Sequence, residues 1–299
     1  MVSLPRWVAK KVSRRAVAAG GAAYRCVSRS PAASAIRVLM YHRLRNAARD
    51  PFSVTPDAFE QQMAWLAERG LAIRLAAVRE HIEGRRSLPR GGVLVTIDDG
   101  YRDLHTVGMP ILRRHHIPAV AFVSVGGLEE RGPHDAADPD AHLSWSELTQ
   151  LLAGGVTLAS HGWDHVSLTQ LDAPQLSEQL ARSRRELEQR LGITVDAFAY
   201  PFGTRVDFSR ATEQALVDAG YALAFTAQHG AIRVGANPMA LPRVKVEGGE
   251  GIRMFRSIVA GGLDAWGKLD RMIWPLQEHE PQPGHGLVSG ARNPFSQVD

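Results

Sequence analysis

The chain has 299 residues, 44% of them hydrophobic and 22% charged, and it contains a single cysteine, Cys26. That composition supports a folded chain with a sizeable core; it excludes a collagen-like or wholly disordered protein, an internal disulfide framework and a cysteine-built zinc ribbon. The formal net charge of +4 hides a split, because residues 1–37 carry eight basic residues (Arg6, Lys10, Lys11, Arg14, Arg15, Arg25, Arg29 and Arg37) and no acid, which leaves the rest mildly acidic and without a general nucleic-acid surface.

In chain order, residues 1–35 read as a basic amphipathic extension. Leu4, Trp7, Val8, Val12, Ala16 and Ala19 recur at helical spacing, with Lys10, Lys11, Arg14 and Arg15 on the flanks and the other side. The apolar stretch Ala16–Tyr24 is too short for a membrane span, which needs about 20 apolar residues, and the scattered charges make a poor export signal. Two readings stay open: a helix lying on an anionic membrane surface through residues 1–30, or a solvated basic extension with no partner. The expected location is cytoplasmic or peripheral at the inner face of the membrane, with export as the alternative. Cys26 reads as an ordinary thiol.

From Ile36 short apolar runs alternate with amphipathic stretches. Strands are predicted at Arg37–Tyr41, Ala72–Leu75, Gly92–Ile97, Ala119–Val125, Thr157–Ser160, Ala197–Tyr200 and Leu223–Thr226, with the weak alternation of buried parallel strands. Helices are predicted at Thr55–Gly70, Ser144–Ala153, Ala173–Leu191 and Ser209–Gly220, with Thr55 as a cap, Pro56 at the first helical position, and Gly70 and Gly192 as stops. Repeated strand–helix units imply a parallel sheet. Seven or so units suit a closed or nearly closed barrel, while the pattern alone leaves an open doubly wound sheet available. Glu129–His142 is a polar loop, residues 36–265 form the predicted domain, and residues 266–299 form a C-terminal extension expected to be mobile from about Gln277.

Four segments at strand ends carry the chemistry. Thr96-Ile97-Asp98-Asp99-Gly100 follows an apolar strand, where two adjacent carboxylates are costly unless paired or bound to a cation; the alternative is an Asp-Gly turn. Ser160-His161-Gly162-Trp163-Asp164-His165 follows another, and one helical turn would put His161 and His165 on one side. Two histidines and a carboxylate are a common open ligand set for Zn²⁺ or a related ion, and the coincidence of the two motifs favours a metal over isolated surface histidines. Ala199-Tyr200-Pro201-Phe202-Gly203 is a turn able to present a backbone N–H to an oxyanion. Leu39-Met40-Tyr41-His42 ends the first strand.

Together these segments resemble the polysaccharide deacetylase family, the NodB-homology domain of carbohydrate esterase family 4. TIDDG resembles its TFDDG motif, SHGWDH its H-(S/T)-x-x-x-H motif and AYPFG its third motif. LMYH, with a following F-x-x-Q-M-x-x-L-x-x-x-G helix, resembles the subgroup acting in exopolysaccharide synthesis, in which LxxH lies ahead of TFDDG. The resemblance covers roughly residues 36–260. It implies a distorted (β/α)7 barrel, a single catalytic domain, and a divalent metal, Zn²⁺ first with Co²⁺, Ni²⁺ or Mn²⁺ as alternatives. It implies Asp99, His161 and His165 as metal ligands, Asp98 as general base, the Tyr200 backbone N–H at the oxyanion and His42 as general acid. Leu39 would pack near the acetyl methyl, with Pro201 and Phe202 also facing substrate.

Two departures stand out. Ala197-Phe198-Ala199 lacks the Arg that often precedes the third motif, and no Asp-x-x-Asp-Trp motif is visible. Something else must orient Asp98, and Arg243, near the final strand, is the candidate; His229 is a spare candidate for the acid. The expected function is metal-dependent hydrolysis of the N-acetyl amide of an amino sugar in a polysaccharide or oligosaccharide. The alternatives are a deacetylase or deformylase of a lipid-linked amino sugar at the membrane, and a non-enzymatic glycan-binding module, against which the intact set Asp98, Asp99, His161 and His165 argues.

Overall fold

The structure is a computed structural model and describes residues 4–28, 35–88, 91–129, 138, 140–264 and 266–267. Seven parallel strands, β1 (Ile36–Tyr41), β2 (Gly92–Ile97), β3 (Ala119–Val123), β4 (Thr157–Ser160), β5 (Ala197–Ala199), β6 (Leu223–Phe225) and β7 (Val244–Lys245), form one sheet in the order β6-β5-β4-β3-β2-β1-β7. The segment 241–245 touches both ends of that order. Leu241 bridges Phe225 of β6, while Val244 and Lys245 pair with Leu39 and Met40 of β1. The sheet therefore curls into a distorted (β/α)7 barrel.

Local chemistry explains the helices α1 (Leu4–Ser28), α2 (Pro56–Glu68), α3 (Leu75–Ile82), α4 (Met109–Arg114), α5 (Gly126–Glu129), α6 (Trp145–Ala153), α7 (Ala173–Leu191), α8 (Arg210–Asp218) and α9 (Ile252–Val259). Thr55, Ser144, Asp172 and Ser209 cap α2, α6, α7 and α8 through side-chain oxygens on orphan amides, and Gly192 ends α7 at φ 65°. The predicted strand Ala72–Leu75 does not form. Ala72 makes one bridge to Val93, and Leu75 instead opens α3, whose Ala77, Val78 and Ile82 are buried. Helical periodicity there outweighs a short apolar run.

Strand parity sorts the core into layers. Ile36 and Val38 pack with Leu94, Phe122, Ala159, Ala199 and Phe225 inside the barrel, whereas Leu39 and Tyr41 pack with Val95, Ile97, Phe59, Met63 and Phe255 between the sheet and its outer helices.

α1 is docked on the domain by a face flanking its apolar pattern: Trp7 lies against Gly249 and Ala18 is 3% exposed, but most of the apolar stripe stays outside. Leu4, Val8 and Val12 are 56, 48 and 58% exposed, while Lys11 and Arg14 are 7 and 1% exposed. The reason is electrostatic. Lys10 and Lys11 hold Glu247 at 2.8 and 2.9 Å, and Arg14 holds Glu250 at 2.6 Å. Lys11 and Arg14, expected to face lipid or water, are thus committed to carboxylates of this chain. The predicted tail from Gln277, the side chain of Cys26 and most of the predicted loop at 129–142 lie outside the described residues.

Candidate active site

β2 delivers Asp98 and Asp99 to the mouth of the barrel, where the Asp98 amide donates to Tyr41 O at 2.9 Å. Asp99 and Gly100 then take φ of 71° and 73°, a reversal in the left-handed region that Asp tolerates better than most side chains. The reversal separates the two carboxylates into different roles. Asp98 is 1% exposed and gripped by Arg243: Nη1 donates to Oδ1 and Nη2 pairs with Oδ2, both at 2.7 Å. Arg243 itself is 1% exposed, and its remaining donors reach Thr226 O at 3.0 Å and Thr96 Oγ1 at 3.2 Å. The structure therefore brings Arg243 to Asp98, as the sequence suggested.

Asp99 faces the histidines. His161 Nε2 and His165 Nε2 each lie 3.3 Å from Asp99 Oδ1. The predicted helical turn between the histidines is absent: Gly162 at φ 83° and His165 at φ 54° form a bend that stacks the two rings edge to face at 4.8 Å. Gln179 of α7 pins that bend by accepting from the amides of Trp163 and Asp164 at 3.1 and 3.0 Å. His161 Nδ1 meets Ala199 O at 2.7 Å, which fixes the ring with Nε2 toward Asp99. Burial opposes the charge on Asp99, but hydrogen bonds from His161 and His165 outweigh it and hold the carboxyl well below the usual carboxylate range.

One atom from each of Asp99, His161 and His165 falls within a 4.8 Å span. Ligand atoms bonded to one Zn²⁺ at about 2.0–2.2 Å are separated by little over 3 Å, so the donor set and its spacing fit a divalent cation. Two imidazoles and one carboxylate also leave positions open for water and substrate.

His42 follows β1 with its ring edge-on to Phe52 at 5.0 Å. Burial first, then the Lys245 and Arg243 charges, lower its pKa to about 4 against the opposing pull of Asp99 and Asp98. Lys245 Nζ sits 3.2 Å from the centre of the same Phe52 ring, and burial lowers its pKa to about 7. Neither Phe52 nor Lys245 stood out in the sequence; the only available signal was the position of Lys245 two residues after Arg243.

Four expectations are corrected. The Tyr200 N–H is not free for an oxyanion, because it donates to Phe225 O at 3.0 Å in the β5–β6 ladder; its hydroxyl donates to Met239 O at 2.9 Å. Pro201 has no N–H. The next amide, that of Phe202 at φ 60°, has no acceptor among the described residues, and the Phe202 ring lies 4.9 Å from His165. Leu39 cannot line the acetyl site: it is 0% exposed and of opposite strand parity to His42, so it packs in the outer core layer. His229 is turned toward α1, 3.4 Å from Arg14, and burial together with that cation lowers its pKa to about 3. Pro201 stays buried beneath the histidine bend, 3.7 Å from where a Gly162 side chain would begin.

A carboxylate clamped by arginine thus lies beside an Asp-His-His cluster at the mouth of a (β/α)7 barrel, an arrangement suited to metal-assisted hydrolysis. Residues 85–224 match the family model for polysaccharide deacetylase. The matched stretch holds Asp98, Asp99, His161 and His165, while His42 and Arg243 lie outside it. The chain is 25% identical over 235 residues to the poly-beta-1,6-N-acetyl-D-glucosamine N-deacetylase of Staphylococcus epidermidis, covering 70% of this chain and 78% of that protein. It is 30% identical over 137 residues to the protein of the same name from Escherichia coli, covering 42% of this chain and only 20% of that longer relative. The fold is also that of IcaB from Ammonifex degensii, with a TM-score of 0.65, 25% identity, and 77 and 97% of the two chains covered.

Proposed function

We propose that this protein is a divalent-metal-dependent hydrolase that removes N-acetyl groups from a poly-N-acetylglucosamine-type polysaccharide. The observation that carries the reading is the division of labour at the end of β2: Asp99 with His161 and His165 form a ligand set, while adjacent Asp98 is left out of that set and held by Arg243. The names of the Staphylococcus epidermidis and Escherichia coli relatives support the substrate class.

Asp99, His161 and His165 would hold the cation. A bound divalent cation there supplies polarisation of the acetyl carbonyl and of the attacking water. Asp98 takes a proton from that water as its oxygen adds to the carbonyl carbon, and Arg243 keeps the carboxylate aimed and unable to rotate. The Phe202 N–H stands ready for the charge developing on the carbonyl oxygen. Breaking the C–N bond requires a proton on the departing nitrogen, and His42 would pass it. His42 is neutral in the resting site, so it gains its proton during turnover as negative charge builds beside it. The products are acetate and a free amine.

The test incubates the protein with β-1,6-linked N-acetylglucosamine oligomers and Zn²⁺, Co²⁺, Ni²⁺ or Mn²⁺, following acetate and the oligomer mass. Acetate released in step with loss of acetyl mass is expected. No release with any of the four metals would overturn the reading.

A further inference from the structure

We propose that Arg14, on the N-terminal helix, is a positioning residue for this hydrolysis: it holds β7 from its open edge and so keeps Arg243 on Asp98. The inference rests on the deacetylase reading of the site. β7 ends the sheet order and is two residues long, its ladder to β1 consisting of Leu39–Val244 and Met40–Lys245. Arg243, which occupies both oxygens of Asp98, immediately precedes it. Upstream, Leu241 bridges β6 and the Arg243 amide donates to Gln228 O at 2.9 Å, but at Lys245 the two-residue ladder to β1 is a small hold, and the aim of the general base depends on it.

α1 supplies the hold that a further strand would otherwise give. Arg14 Nη2 donates to the Lys245 carbonyl at 3.0 Å, and Arg14 Nε and Nη2 donate to the two oxygens of Glu250 at 2.6 and 3.2 Å. Glu250 Oε2 in turn accepts from the Glu247 amide at 3.3 Å, which ties down the turn leaving β7. Lys10 and Lys11 fix the Glu247 carboxylate from the same helix. The helix is seated closely: Ser257 Oγ donates to Ala18 O at 3.4 Å, and a side chain at Gly21 would begin 2.4 Å from Gly262 O. Arg14 is 1% exposed, and three oxygens converge on its planar fork, an arrangement that a lysine cannot reproduce. These groups lie outside the matched stretch 85–224, so the proposal concerns a device of this chain's own N-terminus and β7 turn.

Full-length Arg14→Met and Arg14→Lys are compared with the unmodified protein in three ways: kcat and KM on N-acetylglucosamine oligomers, bound zinc by elemental analysis, and hydrogen exchange over residues 240–250. Misplacing a reacting group by about 1 Å costs up to about a hundredfold, so kcat is expected to fall about ten- to a hundredfold with KM and bound zinc unchanged. The Val246 amide, which donates to Met40 O at 3.1 Å, is expected to exchange faster. Arg14→Lys keeps the charge opposite Glu250, and so keeps the fold should Arg14→Met lose it, but it is expected to share the loss in kcat. A variant that melts at a lower temperature yet turns over at the unmodified kcat assigns Arg14 to stability alone and overturns the proposal. An unmodified protein that releases no acetate defeats the deacetylase reading separately; the exchange comparison still decides the hold on β7, and unchanged exchange at Val246 overturns it.

Discussion

Arg243 meets Asp98 through two contacts of equal length, 2.7 Å to each oxygen, with both residues 1% exposed. A buried carboxylate so held has one orientation, and Arg243 is itself fixed by Thr226 O and Thr96 Oγ1. Specificity of aim, more than net stability, is what such a buried pair supplies.

Arg243→Lys should therefore impair turnover while sparing the ligand set. Lysine keeps the charge but loses the paired contact and at least one supporting hydrogen bond. We expect kcat to fall about ten- to a hundredfold with metal content unchanged, as measured by steady-state acetate release and elemental analysis. A variant with unchanged kcat would mean that the two-point grip on Asp98 is dispensable.

His161→Ala should remove metal and activity together. His161 is 2% exposed, its Nδ1 is tied to Ala199 O, and its Nε2 lies 3.3 Å from Asp99. Loss of one of three protein ligands should weaken zinc binding by at least about a hundredfold, beyond the 10–100-fold typical of outer-shell partners. Isothermal titration with Zn²⁺ reads the affinity; binding as tight as in the unmodified protein would rule out the proposed ligand set.

Much of this arrangement was legible in the sequence, for physical reasons. Buried parallel strands write near-continuous apolar runs, and capped helices write Thr55-Pro56, Ser144 and Gly192 at their ends. The carboxylate and histidine motifs were legible because each sits directly after such a strand. Arg243 was reachable because a buried Asp98 demands a partner. Contacts set by the fold were not legible. Strand parity turns Leu39 away from the site, the β5–β6 ladder consumes the Tyr200 amide, and Gly162 replaces a helical turn with a bend. The orientation of α1 was hidden most deeply. Its apolar pattern suggested one face, but Glu247 and Glu250, more than 230 residues away in sequence, select a flanking one.

The same contacts predict acid sensitivity. Burial opposes the charge on Glu247, but Arg14, Lys10, Lys11 and Lys245 outweigh it and hold its pKa below the ordinary 4.5. A carboxyl lowered on folding contributes stability that is present above its unfolded pKa and lost as pH falls below it. His229, lowered to about 3 from 6.5, acts with the same sign: between those values the unfolded chain takes up a proton that the folded chain refuses. The melting temperature should therefore fall by several degrees as pH drops from about 6.5 to 4, and hydrogen exchange should rise first in α1. A melting temperature constant across that range would contradict this assignment of charges.

The central claim is that one carboxylate of the Asp98–Asp99 pair binds the metal while the other moves the proton. Asp98→Asn tests it most directly, since it preserves shape and leaves Asp99, His161 and His165 in place. Acetate release by the zinc-loaded variant, normalised to bound zinc, is the measurement. The account predicts stoichiometric zinc with acetate release reduced about a hundred- to ten-thousandfold; release at the unmodified rate would contradict it.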